Sequence, residues 1–386
     1  MKLLVLDGNS IVNRAFYGIK LLTNKNGEYT NAIYGFLNIL LKLEDICSPD
    51  AVAVAFDVHA PTFRHKMYDE YKAGRKGMPD ELRAQMPVLK EMLKNLGIKT
   101  IEKEGWEADD ILGTLAAVCR KNGDECFIAT GDRDSLQLAH GGVKVLLART
   151  KMGQAVTDIY DEKAIDEEYG VTPEELIQVK ALQGDASDNI PGVAGVGAKT
   201  ALDLIARFHT LDNIYNNLDE LDIKPGVKAK LKNDKEKAYL SLKLGTISVD
   251  APIDTDINSY VISGRDEQKA VSQFVRLELF SLIPKFNLDP NKAAEVEEEE
   301  TIERNISLVS CDNAGALLER VKGADVYFYP LIIDGSVTDL YFAFDNEIVV
   351  ISPEAQGYNL FVNFLRTRVQ KNTALTRKNF IVWHAN

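Results

Sequence analysis

Three short apolar runs in the first third of the chain each lead directly into acidic residues. Lys2-Leu3-Leu4-Val5-Leu6 ends in Asp7, and Ala51-Val52-Ala53-Val54-Ala55-Phe56 ends in Asp57. Glu125-Cys126-Phe127-Ile128-Ala129-Thr130 runs into Gly131-Asp132-Arg133-Asp134. Continuous apolar runs without alternation are strands buried on both faces, and helical patterns lie between them, so the chain reads as α/β with a parallel sheet. Sites in such sheets lie beyond the carboxyl ends of the strands, where these acids fall. A lone acid after a strand is ordinary turn chemistry. Several acids at one sheet edge repel unless cations bind, and hard oxygen donors of this kind suit Mg²⁺ or Mn²⁺.

Gly105-Trp106-Glu107-Ala108-Asp109-Asp110 adds three carboxylates immediately before Ile111, Leu112, Leu115, Val118 and Cys119, which recur at helical spacing. A helix N-terminus favours negative charge, so an acidic first turn is the plain alternative for this stretch by itself. After Asp7, Gly8-Asn9-Ser10 opens a turn or helix containing Arg14. Thr30 caps a helix with Ile33, Leu37, Leu40 and Leu41 on its apolar side. Between Pro61 and Lys76, Arg64, Lys66, Lys72, Arg75 and Lys76 alternate with Phe63, Tyr68 and Tyr71. Cations that grip phosphates, interleaved with rings that stack on bases, suit single-stranded nucleic acid. A solvated helix with snorkelling cations is the alternative. Leu82, Met86, Leu89, Leu93 and Leu96 mark a core helix from Pro79 to Leu96, and strands follow at Ile98 to Ile101 and Val143 to Leu147.

Further on, Thr172-Pro173-Glu174-Glu175 is a capping box whose helix ends near Gly184. Asp185 and Asp188 then add two candidate ligands. Gly192, Gly195 and Gly197 crowd a turn that opens a helix at Lys199-Thr200. The spacing excludes a P-loop, and the missing strand excludes a dinucleotide fingerprint. It matches a helix-hairpin-helix turn, whose backbone N–H groups grip a DNA phosphate without reading sequence. A plain helix–helix turn is the alternative. Lys224 to Lys243 carries seven lysines on a helical pattern, a solvated face or a second phosphate contact. From Ile306 the composition is globular again. Strands are expected at 327–329, 331–333, 340–344 and 348–351, with a helix over 358–369; the chain stops in a strand-like run, so this last unit reads as incomplete.

A net charge of −13 argues against nucleic acid until it is located. The stretch 289–303 carries −6 and the nine candidate ligands carry −9, which leaves the rest of the chain near +2. The acidity sits in a linker and a metal site, and the remaining surface can meet phosphate. Cys47, Cys119, Cys126 and Cys311 show no paired spacing and read as reduced thiols of a cytoplasmic protein. There is neither a membrane-spanning run nor a signal peptide, and the five histidines form no metal motif.

Together these motifs resemble the 5′-nuclease domain of bacterial DNA polymerase I, of the flap endonuclease family, from Met1 to about Ile283. Leu6-Asp7-Gly8, Phe56-Asp57, Phe63-Arg64-His65, Tyr71-Lys72-Ala73-Gly74-Arg75, Glu107-Ala108-Asp109-Asp110, Thr130-Gly131-Asp132-Arg133-Asp134 and Gly184-Asp185-Ala186-Ser187-Asp188-Asn189 occur in order. The resemblance implies a PIN-like core (1–170) with a helical arch near 61–80, and a helical DNA-binding domain (171–285). An acidic linker (286–303) and a partial, inactive 3′–5′ exonuclease-like unit (304–386) would follow. It implies two divalent ions, the first held mainly by Asp7, Asp57, Glu107 and Asp109. Asp109, Asp132, Asp134, Asp185 and Asp188 would hold the second, and Asp110 joins the candidate ligands. It places Arg14, Lys72 and Arg75 at the DNA phosphates, Arg64 and Tyr71 on the DNA side of the arch, and K⁺ at the glycine turn. DNA with 5′ flaps, nicks or RNA primers would be cut by a monomer, with a DNA polymerase as partner. Ile333-Asp334-Gly335-Ser336 lacks the Asp-x-Glu of an active 3′–5′ exonuclease, and Phe344-Asp345-Asn346-Glu347 matches only out of place. Two other readings compete: a catalytically silent, structure-selective DNA-binding module, and an aspartyl phosphatase built on Asp7. The phosphatase wants a second Asp where Asn9 stands.

Overall fold

The computed structural model describes residues 1–75, 77–151, 154–292, 307–310, 325–333, 336–344, 347–356, 358–359 and 381–384. The chain forms two compact units, Met1–Ala294 and Glu295–Asn386.

The first unit is built on a six-stranded sheet: β1 (Lys2–Asp7), β2 (Ala51–Ala55), β3 (Lys99–Ile101), β4 (Glu125–Thr130), β5 (Val143–Lys151) and β6 (Gln154–Tyr160), in the order β3-β2-β1-β4-β5-β6. All neighbours are parallel except β6, which returns antiparallel to β5. The helices of this layer are α1 (Gly8–Gly18), α2 (Asn31–Cys47), α3 (Phe63–Met67), α4 (Asp80–Asn95) and α5 (Ala108–Asn122). The central strand explains the apolar runs. Leu4 and Leu6 of β1 pack with Ile33, Phe36, Leu37, Leu89 and Leu93 on one face, while Leu3 and Val5 pack with Ile111, Leu112 and Leu115 on the other. Both faces are covered, so neither set can be polar, and truncating one such Leu costs about 2–5 kcal/mol. The order reverses at β1, which pairs with β2 on one side and β4 on the other. Register aligns Asp7 with Ala55, and Leu6 with Ala129, so the acidic ends of three strands open at the switch point.

The helical layer comprises α6 (Glu162–Tyr169), α7 (Pro173–Gln183), α8 (Ala198–Phe208), α9 (Leu211–Asn216), α10 (Pro225–Asn233), α11 (Lys235–Gly245) and α12 (Glu267–Arg276). The capping box at Thr172 forms, with its hydroxyl accepting from Glu175 N and Glu175 reaching back to Thr172 N. Helices α7 to α11 share a core of Leu182, Val193, Leu204, Ile205, Ile214 and Leu231. Helix α12 packs elsewhere: Ala270, Val271 and Phe274 join the first sheet's core, as do Phe286 and Leu288.

Four expectations change. The lysine-rich stretch is two helices broken at Asp234. Strand β6 was missed because it is an edge, with Ile159 left 50 % exposed. Phe286 and Leu288 are core, so the acidic linker cannot begin at 286. The arch is the five-residue α3 followed by turns over 69–74, and Lys72 has φ +57, which no helix permits. Lys76 lies outside the described residues.

The second unit contains β7 (Ser307–Ser310), β8 (Asp325–Ile333), β9 (Ser336–Phe344), β10 (Glu347–Ile351) and β11 (Ile381–His384), in the order β11-β8-β9-β10-β7. Beyond 358–359, the helix expected to 369 lies outside the described residues, as do Asp334, Gly335, Asp345 and Asn346.

Candidate metal centre and nucleic-acid face

Asp7 ends β1 and caps α1. One carboxylate oxygen accepts from Ser10 N at 2.9 Å and the other from the Thr130 hydroxyl at 2.9 Å. Burial pushes its pKa up to about 7, and repulsion from Asp57 and Asp132 adds to this against those two hydrogen bonds. Asp57 follows β2, accepts from Ala108 N at 2.7 Å, and is likewise raised by burial. Glu107 caps α5. Asp109, in the first turn of α5, is pushed well above the carboxylate range by burial and by Asp7, Asp132 and Asp57. Asp132 joins this group to a second one. It repels Asp7 and Asp109 on one side and Asp134 on the other, and its side chain accepts from Asp134 N at 2.9 Å.

The second group gathers where the loop after α7 meets the turn after β4. Asp185 and Ile190 close that loop through paired backbone bonds of 2.9 and 2.8 Å. Among the described residues, Asp134, Asp185 and Asp188 bring one carboxylate oxygen each within 4.8 Å of one another, a set able to hold a metal ion. Burial, with repulsion from Asp132, lifts Asp134 to about 6. Asp185 is also desolvated, but Lys180 and Ser187 outweigh this and bring it down to about 2.

The sequence reading missed Lys180. Its side chain is 8 % exposed, and its ammonium touches Asp134 and lies 2.7 Å from Asp185. Burial opposes its charge, yet the two carboxylates hold its pKa above the ordinary value. The available signal was a lysine inside the buried run Val179-Lys180-Ala181-Leu182, where an unpaired cation is untenable. Lys72 and Arg75 also lie against the centre: the Lys72 ammonium is 3.0 Å from Glu107, and Arg75 pairs with Asp188. The donor set is therefore all oxygen, partly neutralised by three basic side chains. Such a set fits hard divalent cations.

Three candidate assignments are corrected. Asp110 is fully buried, and both its oxygens are already engaged. Its oxygens each accept from the Arg64 guanidinium at 2.8 Å, and they also accept from Glu107 N at 3.0 Å and Ser248 N at 2.9 Å. Arg64 is 2 % exposed and further bonded to the carbonyls of Leu244 and Thr246, so neither residue is free for metal or DNA. Tyr71 is 4 % exposed, with its hydroxyl 3.1 Å from Glu107, so its ring cannot stack on a base. Asn9 accepts from Asp57 N at 3.1 Å. It braces the two strand ends where a phosphatase would need its second acid. Arg14 lies on α1, partly buried, and burial lowers its pKa.

The glycine turn needs two of its three glycines. Gly192 (φ +60) and Gly195 (φ +74) are left-handed, and a Cβ on Gly192 would stand 2.3 Å from Gly184 N. Gly197 caps α8 without a side-chain bond, and a Cβ there would meet nothing. Gly192 N is held by Ser241 at 2.9 Å and Ala194 N by Asp234 at 2.9 Å, and the Gly195 carbonyl accepts from Lys230 at 2.8 Å. Lys199 is exposed and Thr200 half-buried on the first turn of α8, beside each other at the outer end of this turn. No helix among the described residues is long and apolar enough to cross a membrane.

Comparison with known proteins agrees with this geometry. Residues 2–170 match the "5'-3' exonuclease, N-terminal resolvase-like domain", and residues 171–268 match the "5'-3' exonuclease, C-terminal SAM fold". DNA polymerase I of Caldicellulosiruptor bescii is 42% identical over 288 residues, covering 75% of this chain and 34% of the relative. DNA polymerase I of Bacillus subtilis is 40% identical over 302 residues, covering 78% and 34%. The chain thus spans about a third of the length of these curated relatives. The structure of T5 5'-exonuclease with bound divalent zinc ions superposes with a TM-score of 0.53 at 20% identity, covering 75% of this chain and 99% of that one, a likeness of fold. With the strand order, the acidic strand ends and two adjoining family matches in agreement, this chain belongs to the 5′–3′ exonuclease family.

Proposed function

We propose that the chain is a metal-dependent 5′–3′ exonuclease and flap endonuclease that hydrolyses phosphodiester bonds in DNA with 5′ flaps, nicks or RNA primer ends. The observation that carries this is the pairing of Lys72 and Arg75 with carboxylates of the centre, which puts two phosphate-seeking cations where a scissile phosphate would lie. The residues that would hold two Mg²⁺ are Asp7, Asp57, Glu107 and Asp109 on one side. Asp132, Asp134, Asp185 and Asp188 serve the other, with Asp109 between them. Bound there, the ions would supply Lewis acidity toward the phosphodiester and activate the attacking water. Thr130 and Ser10 hold the Asp7 carboxylate in place, and Lys180 does so for Asp134 and Asp185. Lys72 and Arg75 exchange their carboxylate partners for the phosphate oxygens and stabilise charge as it develops. Arg14 meets the neighbouring strand. The glycine turn with Lys199 and Thr200 grips the duplex. K⁺ is the ion the family resemblance suggests for this turn, and Lys230 supplies a competing ammonium. We further propose that the protein works as a cytoplasmic monomer beside a DNA polymerase activity.

The test is single-turnover cleavage of a labelled flap at saturating enzyme and Mg²⁺, with binding measured separately in Ca²⁺. Lys72→Ala with Arg75→Ala should slow cleavage by about two orders of magnitude, as for lost transition-state charge stabilisation. Affinity should fall less, and the salt slope should shrink by about one unit per lost phosphate contact. Lys199→Ala should weaken binding and spare the saturated rate. Wild-type cleavage by the double variant would reduce these two residues to a docking surface and sink the catalytic assignment.

A further inference from the structure

We infer that Asn189 is a positioning residue for Lys72 and Arg75, an inference that rests on the nuclease reading above. The segment holding those cations is not a helix but a run of turns, in which the Tyr71, Ala73 and Arg75 N–H groups donate to the Tyr68, Glu70 and Lys72 carbonyls. It is fastened from outside, by the loop that carries Asp185 and Asp188. The Asn189 side-chain amide donates to the Glu70 carbonyl at 2.8 Å, and Lys72 N–H donates to the Asp188 carbonyl at 2.9 Å. These two bonds cross between residues 70–72 and 188–189 and fix one against the other. Both partners are left-handed, Asn189 at φ +56 and Lys72 at φ +57. Asn adopts that region readily, whereas Lys does so rarely and must be held there. Beside this inversion, Tyr71 is buried against Ile190 and Leu244 with its hydroxyl 3.1 Å from Glu107, and the Lys72 ammonium reaches the same Glu107 oxygen at 3.0 Å. Arg75 follows through its own N–H, which donates to the Lys72 carbonyl at 3.1 Å. Asn189 itself is exposed and spends its amide on a backbone carbonyl, so it acts on the reaction only through these cations.

The critical variant is Asn189→Gly, because glycine keeps the left-handed backbone at no strain and deletes only the amide. Losing one exposed positioning hydrogen bond should slow single-turnover flap cleavage three- to tenfold at saturating enzyme and Mg²⁺. Flap affinity in Ca²⁺, and Mn²⁺ affinity by calorimetry, should stay within twofold. Asn189→Asp tolerates the same backbone but cannot donate, so it should slow cleavage at least as much. The decisive readout is a mutant cycle against both cations: in a Lys72→Ala, Arg75→Ala background, Asn189→Gly should add less than twofold, because its effect passes through the two missing cations. A full-rate Asn189→Gly enzyme beside a slow Lys72→Ala, Arg75→Ala enzyme overturns the inference alone. Fully additive losses overturn it too, since Asn189 would then act by another route. If Lys72→Ala with Arg75→Ala cleaves at the wild-type rate, the catalytic assignment falls first and the inference falls with it.

Discussion

Replacing Asp110 by Asn should unfold this protein more easily, although its neighbour Asp109 should respond in the opposite sense. Asp110 is fully buried and answers the Arg64 guanidinium with both oxygens at 2.8 Å, while accepting from Glu107 N and Ser248 N. Asn keeps the shape but removes the charge and turns one acceptor into a donor facing other donors. Arg64, 2 % exposed, would keep two carbonyl partners and a 3.4 Å contact to Glu107, without its main counter-ion. Breaking a buried pair from one side costs about 3–5 kcal/mol. At about 2 °C per kcal/mol for a unit of this size, the melting temperature should fall by about 6–10 °C. The assay is thermal unfolding in EDTA, so that metal loading does not enter. A ligand facing the other acids would behave differently, because removing its charge relieves repulsion. An Asp110→Asn protein that melts within 2 °C of wild type, or above it, would therefore refute the structural assignment.

Asp109→Asn should abolish flap cleavage, leave duplex binding within a few-fold, and melt higher than wild type in EDTA, because Asp109 is repelled by Asp7, Asp132 and Asp57; wild-type cleavage rates would sink the bridging role. Asp7 carries a pKa raised from 3.8 to about 7 in the fold, so the folded state binds its proton more tightly than the unfolded chain. The metal-free protein should thus be most stable in this respect below about pH 4 and lose that part of its stability as pH rises through about 7. Melting curves in EDTA across this range should be flatter for Asp7→Asn, and an unchanged slope would remove Asp7 as the source. A chain ended at Lys292 keeps the core residues Phe286 and Leu288 and every proposed ligand. It should cut flaps as fast as the full chain, and a large loss would give the second unit a part in substrate handling.

The central strands and the acids at their ends were legible because burial on both faces leaves a continuous apolar signature, and parallel register then aligns the strand ends. That logic alone places Asp7, Asp57 and Asp132 at one edge of the sheet. The capping box at Thr172 and the turn at Gly192, Gly195 and Gly197 were legible for a similar reason, since each depends on local backbone chemistry; which of the three glycines are left-handed was not. Asp109 and Asp110 were not separable. Successive residues on a helix point about 100° apart. Which of the two meets the centre therefore depends on how α5 sits on the sheet and on what α3 offers from the other side. Arg64, Tyr71 and Lys180 share that difficulty. Their partners are 46 residues away for Arg64 with Asp110, 36 for Tyr71 with Glu107, and 46 for Lys180 with Asp134. Local pattern sets periodicity, capping and turn type, because those depend on neighbours along the chain. Whether a charge faces metal, DNA or a buried counter-ion is a matter of desolvation and pairing, and only the packed tertiary structure supplies both.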